Sequence, residues 1–275
     1  MNKAKWIILK IISFILVAVI IFSGYKIAMW FVDNQHNAEL ANELVNTAQV
    51  AELTDEELNI VEESVETAED KPAQSSDYWN YMKMNMLDVD LAELKNKNPD
   101  TVAWIKVNGT NINYPVVQSQ DNDYYLTHSY DRSANDAGWV FMDYRNSSDG
   151  NFDRNTILYA HARLDKTMFG SLRDIMDSGW YNNSNNYVVK MVVGSKTTLW
   201  QVFSIYVVPS TSDYLRTQFT SDTDYTDFLK MIKGRSEKNF NCEVDSKSKI
   251  LTLSTCKSGN RRVVLHAKLI KSGTK

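Results

Sequence analysis

The sequence predicts a mainly β domain, a closed barrel or a sandwich, that follows an N-terminal membrane-spanning helix. Two parts of the chain with different patterns of apolar residues support this prediction. The first 32 residues are mostly apolar, whereas the chain from Thr101 onward consists of short apolar or alternating runs separated by turn residues, which is typical of β-rich domains. A chain of 275 residues with 43% hydrophobic content can bury one substantial core and still carry appendages.

Eight runs have the length and composition of strands. They are 102–107, 112–117, 139–143, 156–160, 187–193, 198–208, 249–255 and 262–270. Asn108-Gly109 between the first two is typical of a hairpin turn. A longer helix is predicted at 225–235, between the sixth and seventh strands, because its apolar residues recur on one face. Eight short strands of this kind indicate a barrel or a sandwich.

The N-terminal segment is predicted to cross a membrane. Fifteen uncharged residues separate Lys10 from Lys26, fewer than the ~20 that a bilayer core requires. Lysine stems can snorkel, however, and Trp6 and Trp30 suit the two interfaces, so the effective span is 6–31. The positive-inside rule then places the N-terminus in the cytoplasm and the rest of the chain outside. The alternative is a cleaved signal peptide, although no convincing small-x-small site follows the apolar core.

The net charge of −4 belongs mainly to one segment. Residues 33–70 contain twelve Asp or Glu and no Lys or Arg. Residues 71–275 have a balance of about +4 (26 basic groups minus 22 acidic ones), which is too weak to indicate a nucleic-acid partner. The acidic segment shows helical periodicity with a break near Thr54, where Thr54 and Glu57 match a capping box.

We therefore expect three regions. Residues 1–32 would form the cytoplasmic tip and transmembrane anchor, 33–76 a solvated acidic helical stalk of two helices and a linker, and 77–275 the main domain. Short helices are predicted at 77–86 and 90–96, ahead of the first strand.

Cys256 ends the seventh predicted strand, and Arg262 begins the eighth. A thiol beside a guanidinium pairs a nucleophile with a group that can stabilise an oxyanion, although Arg261 leaves the choice of arginine open. A disulfide between Cys256 and Cys242 is the alternative; Cys242 is better explained as a small buried hydrophobic residue. Two cysteines and four scattered histidines give no metal-ligand spacing, so neither a metal nor an organic cofactor is expected.

A catalytic cysteine needs a partner, because a free thiol is mostly protonated near neutral pH. His161 is the strongest candidate, since it directly follows the predicted strand 156–160. His266 has the same strand parity as Arg262, and His128 is also possible. His36 is discounted because it lies in the predicted stalk. The spacing alone leaves the choice of histidine open.

The stretch Thr252-Leu253-Ser254-Thr255-Cys256 matches the TLxTC motif of sortases, the Gram-positive transpeptidases that attach proteins to the cell wall. The likeness to class B sortases extends over nearly all of 98–270. It is carried by four further segments, which are 98–105, 113–118, 141–146 and 167–169. The resemblance implies an eight-stranded sortase-type barrel with a long helix between strands 6 and 7.

The resemblance also implies site residues. Tyr159-Ala160-His161 matches the family's Tyr-Gly-His context with Ala for Gly, and counting back five residues from Ala267 selects Arg262. The link from Cys256 to Arg262 is shorter than in class B members, and it lacks the acidic residue often found after the cysteine. The resemblance further implies substrate-groove residues, which are Asn122, Leu126, Ser210, Tyr214, Ser254 and Thr255.

The activity implied is cleavage of a C-terminal NPxT-like sorting signal and transfer of the threonine carbonyl to a peptidoglycan amine. The partners implied are exported surface proteins that carry the signal, a peptidoglycan precursor or cross-bridge, and the membrane through the N-terminal anchor. Two other functions fit the same residues. One is a membrane-tethered cysteine hydrolase, which passes the acyl group to water, and the other is a non-catalytic surface-binding module on a stalk.

Overall fold

The computed structural model describes residues 3–62, 76–256 and 261–275. Its helices are α1 (Lys3–Thr47), α2 (Ser76–Met82), α3 (Leu91–Lys97), α4 (Ser178–Tyr181) and α5 (Asp222–Gly234). Its strands are β1 (Ala51–Leu53), β2 (Asn59–Glu62), β3 (Met86–Asp88), β4 (Thr101–Val107), β5 (Asn113–Val117), β6 (Phe141–Met142), β7 (Asn155–His161), β8 (Val188–Val193), β9 (Lys196–Pro209), β10 (Ile250–Cys256) and β11 (Arg261–Thr274). Short 3₁₀ turns lie at Asp55–Glu57, Tyr124–Leu126, Gly170–Met176 and Ser184–Asn186.

Strands β4 to β11 close into a mixed barrel. Going round it, the neighbours are β4, β5, β6, β7, β10, β11, β9 and β8, and β8 pairs again with β4. The β5–β6 and β7–β10 pairs are parallel, and the other pairs are antiparallel. All eight predicted strands are present, and α5 lies between the sixth and seventh of them. The predicted eight-stranded barrel is therefore confirmed.

Alternation along β10 and β11 separates two apolar cores. Leu251, Leu253 and Leu265 belong to the large core that includes the barrel interior. Ile250 and Val264 belong to a second cluster, which α5 covers. Because side chains alternate between the faces of a strand, Ser254 shares its face with Ile250 on the outside of the barrel.

Helix α5 begins and packs as its sequence indicates. The Ser221 hydroxyl accepts a hydrogen bond from the Asp224 backbone N–H at 3.1 Å, which caps the first turn. Phe228, Leu229 and Ile232 are buried on one face, as helical spacing predicts. The helix therefore covers the outer face of the sheet at β9, β10 and β11.

Helix α1 is long and apolar enough to cross a membrane. Its 45 residues span about 68 Å at 1.5 Å per residue, more than twice the thickness of a bilayer core. The apolar side chains from Trp6 to Phe31 are exposed. The helix passes through the predicted boundary at residues 32 and 33 without a break, so that division of the chain stays a prediction.

The prediction of a solvated stalk after this span is wrong. Leu44 and Ala48 are fully buried in the large core, and Leu40 and Val45 pack against it. The apolar residues that recur every three or four positions are thus the face with which α1 docks on the domain. The acidic side chains Glu39 and Glu43 are exposed on the opposite surface of the helix.

The prediction of a second stalk helix near Thr54 is also wrong. The Glu57 carboxylate accepts the Thr54 backbone N–H at 2.9 Å, as the capping box predicts, but it caps only the 3₁₀ turn Asp55–Glu57. The chain then forms β2, which pairs with the end of β11. An available sheet edge and the β-branched pair Ile60-Val61 favour a strand here. The predicted linker up to residue 75 lies outside the described residues.

Candidate active site

Three adjacent strands bring the predicted catalytic positions together. Strand β10 runs parallel to β7, and Cys256 is in register with His161 at the ends of both strands. Strand β10 also runs antiparallel to β11, with Ser254 opposite Val264. Two further residues along this register put the backbone of Cys256 opposite Arg262. Neighbouring strands lie about 4.8 Å apart, so the backbone of Cys256 lies between those of His161 and Arg262, about one strand spacing from each.

His161 is held by one hydrogen bond. Its Nε2 lies 2.8 Å from the Leu126 carbonyl oxygen. A carbonyl can only accept, so Nε2 carries the hydrogen, and the neutral ring presents Nδ1 as its proton acceptor. Burial lowers the pKa of His161 and the Arg163 charge acts in the same direction, while the Leu126 carbonyl opposes them. This environment favours the neutral ring, which is the form that can act as a base.

Gly138 leaves the space that the His161 ring occupies. Gly138 has a φ of +61°, and a Cβ added to it would lie 2.6 Å from the Tyr125 carbonyl oxygen and 3.0 Å from His161 Cδ2. Only glycine accommodates both the left-handed backbone and this close approach. Gly138 therefore packs directly behind the histidine.

Arg262 is half-buried, whereas Arg261 is exposed. The Arg262 Nη1 lies 3.4 Å from both the Thr211 carbonyl oxygen and the Tyr214 hydroxyl. Its Nε is buried and has no hydrogen-bond partner among the described residues. Because the described hydrogen bonds of this guanidinium are long and do not engage all of its N–H groups, it can donate to an anion that forms beside it.

The other histidines have structural surroundings. His266 is fully buried between the Thr252 and Tyr206 hydroxyls, each 2.8 Å from one of its ring nitrogens. Burial, reinforced by the charge of Arg235, lowers its pKa to about 3. His128 is stacked on Tyr124, with 4.0 Å between ring centroids. His36 pairs with Asp131 at 2.9 Å on the surface.

Cys242 is a free, buried thiol in the cluster under α5. It is therefore not in a disulfide with Cys256, and it has the hydrophobic role that the sequence favours. Burial raises its pKa to about 12, so it stays protonated at neutral pH. Among the residues that the structure describes, no group of three or more His, Cys, Asp or Glu side chains is placed to hold a metal ion.

An open groove of about 650 Å³ lies beside these strand ends. Its lining includes Asn122, Tyr144, Arg145, Tyr159, Leu215 and Thr217. Tyr159 precedes His161 by two residues on β7, so the groove begins about 7 Å from the strand ends. An extended peptide in this groove would lie along the outer face of the barrel, next to the cysteine position.

Asp143 organises one wall of the groove, and we did not predict a role for it from the sequence. Its fully buried carboxylate accepts hydrogen bonds from Asn122 Nδ2 at 3.0 Å and the Tyr159 hydroxyl at 2.8 Å, and it forms a bidentate pair with Arg145. Burial favours its neutral form, but these hydrogen bonds and the Arg145 charge hold its pKa below the usual value. The Asp-x-Arg spacing is the signal in the sequence that indicates such a pair.

The other predicted groove residues fall into two groups. Asn122 lines the groove, the Leu126 carbonyl holds His161, and Ser210 is exposed just after β9. The remaining residues are buried: Tyr214 and Ser254 join their hydroxyls at 2.9 Å, and the Thr255 hydroxyl accepts the Val263 backbone N–H at 3.0 Å. Their roles in substrate binding stay predictions.

Comparisons with known proteins agree with this arrangement. Residues 105–270 match the model of the sortase domain family. Sortase B of Listeria monocytogenes is 30% identical over 98% of this chain and 99% of its own length. A sortase B structure from Bacillus anthracis, in complex with AAEK1, has 32% identity and a TM-score of 0.68 over 88% of this chain and 99% of that one. A Staphylococcus aureus sortase B–substrate complex has 38% identity and a TM-score of 0.62 over 66% of this chain and 84% of that one.

A closed barrel with a cysteine and a histidine in register at its edge defines an enzyme class that acts through a cysteine nucleophile, and the family matches identify that class as the cysteine transpeptidases. The chain belongs to the sortase family, and its relatives place it in class B.

Proposed function

We propose that this chain cleaves a C-terminal NPxT-like sorting signal of exported proteins and joins the threonine carbonyl to a peptidoglycan amine. The protein would be held in the cell membrane by α1, with its N-terminus in the cytoplasm and its barrel outside. The observation that carries the proposal is the strand register, which aligns Cys256 with His161 on one side and extrapolates to Arg262 on the other.

Each residue has a distinct role in this proposal. The Cys256 thiol passes its proton to Nδ1 of His161 as the sulfur attacks the threonine carbonyl carbon, and the carbonyl electrons move to the oxygen, which Arg262 stabilises. When the oxyanion collapses, the peptide C–N bond breaks, and His161 gives a proton to the leaving amine. The product is a thioester on Cys256 and a free C-terminal fragment.

The second half of the reaction reverses these roles. An incoming amine attacks the thioester, and His161 accepts its proton while the Cys256 thiolate leaves. The unengaged Nδ1 of His161 is the nitrogen available for both transfers. The Asp143 carboxylate takes no part in proton transfer here, because its oxygens are engaged by Asn122, Tyr159 and Arg145.

The test is cleavage of a fluorogenic NPxT peptide by the full chain in detergent, with and without triglycine. The full chain is needed because α1 and β2 pack on the barrel. We expect cleavage by wild type and a product joined to triglycine. Free acid as the sole product would instead support the hydrolase, and cleavage by Cys256→Ala equal to wild type would refute the mechanism.

A further inference from the structure

Helix α1 passes beside the catalytic end of the barrel. The Arg163 guanidinium lies over the Trp30 ring, 5.7 Å from its centroid, and also bonds the Asn34 side chain. Arg163 follows His161 by two residues. The helix that enters the membrane is therefore in direct contact with the loop that follows the proposed catalytic histidine.

Polar contacts fix the helix in this position. Asn37 is almost fully buried. Its amide donates to the Gly138 carbonyl at 2.9 Å and accepts from Ser129 at 2.6 Å and from Asn135 at 3.1 Å. A buried amide with three partners resists sliding or rotation of the helix, because any shift leaves polar groups unpaired. The direction of α1 relative to the barrel is thus set at Gly138, the residue behind His161.

The length of α1 and its tryptophans indicate where along the helix the outer membrane surface lies. Twenty residues at 1.5 Å cover a 30 Å bilayer core, and tryptophan favours the headgroup level. If the span begins near Trp6, Trp30 lies at the outer headgroups. The contact between Lys26 Nζ and the Asp136 carboxylate at 3.6 Å puts a second barrel loop at this level. Arg163, which contacts Trp30, must lie there too.

Leu164 is the next residue, and its relative exposure of 78% exceeds that of any other large apolar side chain in the described residues. Moved into the boundary between headgroups and acyl chains, the Leu164 side chain would take its apolar surface out of water, which is favourable. Its neighbours Arg163 and Lys166 can keep their charges among the headgroups.

We propose that the loop 162–168 inserts Leu164 into the lipid surface beside α1, so that the groove operates on the bilayer. Three residues of extended chain cover about 10 Å, so His161 would lie within that distance of the headgroups. The inference rests on the proposed function for the membrane anchoring of α1, and it deepens that function. The scissile bond would be presented at the membrane surface rather than out in the cell wall.

The test uses the full chain in phosphatidylcholine vesicles. Leu164→Cys is labelled with an environment-sensitive fluorophore in a Cys256→Ala background, and nitroxide-labelled lipids act as quenchers. Cys242 is buried, and the background protein without an added cysteine measures its labelling. Ser195→Cys is the matched control: Ser195 is exposed and lines a cavity with Ala48, about 27 Å further along α1 than Trp30.

We expect several-fold stronger quenching at position 164 than at position 195. Equal quenching at the two positions would overturn the proposal. Since the labelled protein lacks Cys256, this result is independent of any cleavage. In a chain that retains Cys256, Leu164→Asp should cleave a soluble peptide in detergent as wild type does, and a loss there would mean that Leu164 serves the groove instead of the membrane.

Discussion

His161 and His266 flank the same strand and are held in opposite ways. His161 lies on β7 opposite Cys256, and His266 lies on β11 opposite Thr252, four residues lower on β10. His266 is fully buried with both ring nitrogens engaged, whereas His161 is half-buried with one nitrogen engaged. A histidine with no unengaged nitrogen and no access can only stabilise the fold. The number of ring nitrogens that are already hydrogen-bonded, more than the position on the strand, therefore distinguishes a structural histidine from one that is available for proton transfer.

Replacing each histidine with glutamine should show the largest difference between the two positions. His161→Gln removes the proposed acid and base, so cleavage should fall by about 10³-fold with little change in the free energy of unfolding. His266→Gln should keep activity in the folded fraction but lose about 2–4 kcal/mol of stability, because it disturbs a buried polar network. Peptide kinetics and denaturant unfolding on both variants check this. Equal losses of activity in the two would contradict it.

The neighbouring arginines provide the next test. Arg262→Ala should lower kcat by about 10²–10³-fold, as expected for loss of an oxyanion donor. Arg261 is exposed, and Arg261→Ala should stay within about a factor of two of wild type. Steady-state cleavage rates separate the two variants. A larger effect at Arg261 would mean that the choice of arginine is wrong.

A smaller effect is expected at the groove wall. Asp143→Asn removes the charge that Arg145 pairs with, and it disturbs the positions of Asn122 and Tyr159. We expect KM to rise about tenfold and stability to fall by about 2–3 kcal/mol. Tyr159→Phe is the control, since it removes a single hydroxyl and should cost about 1 kcal/mol. An unchanged KM for Asp143→Asn would show that the wall does not position substrate.

Much of this architecture was predictable because it depends on local patterns. Alternating runs predict all eight barrel strands, and the amphipathic run that contains Phe228 and Ile232 predicts α5. The acidic segment was misread because a helix face such as Leu44 looks the same whether it is solvated or docked. Likewise, no local pattern predicts that the strand containing Ile60-Val61 pairs with the edge of β11. Both outcomes depend on partners that are distant in sequence.

The candidate site divides in the same way. The cysteine motif and a histidine at a strand end are local signals, and the resemblance to sortases predicts Arg262 rather than Arg261. Asp143 was missed because its importance comes from Asn122 and Tyr159, 21 and 16 residues away. The contact of Asn37 with Gly138 spans 101 residues, which no pattern in the sequence can reveal.

The dependence of stability on pH tests the buried state of His266. A histidine in the unfolded chain has a pKa of about 6.5, and burial lowers that of His266 to about 3. Between these values the unfolded state binds the proton and the folded state does not. Stability should therefore fall as pH is lowered through this window, by up to about 1.4 kcal/mol per pH unit. Unfolding midpoints between pH 7 and 4 should show this slope in wild type, and a slope that persists in His266→Gln would assign it to other groups.

The most direct measurement of the central claim is the mass of the enzyme after incubation with an NPxT peptide and no acceptor amine. The account predicts an acyl adduct, ending in threonine, on Cys256 alone. Cys242 in the same chain is the internal control, since burial raises its pKa to about 12 and should leave it unmodified. Cleavage of the peptide without an adduct on Cys256, or with the adduct on another residue, would contradict the account.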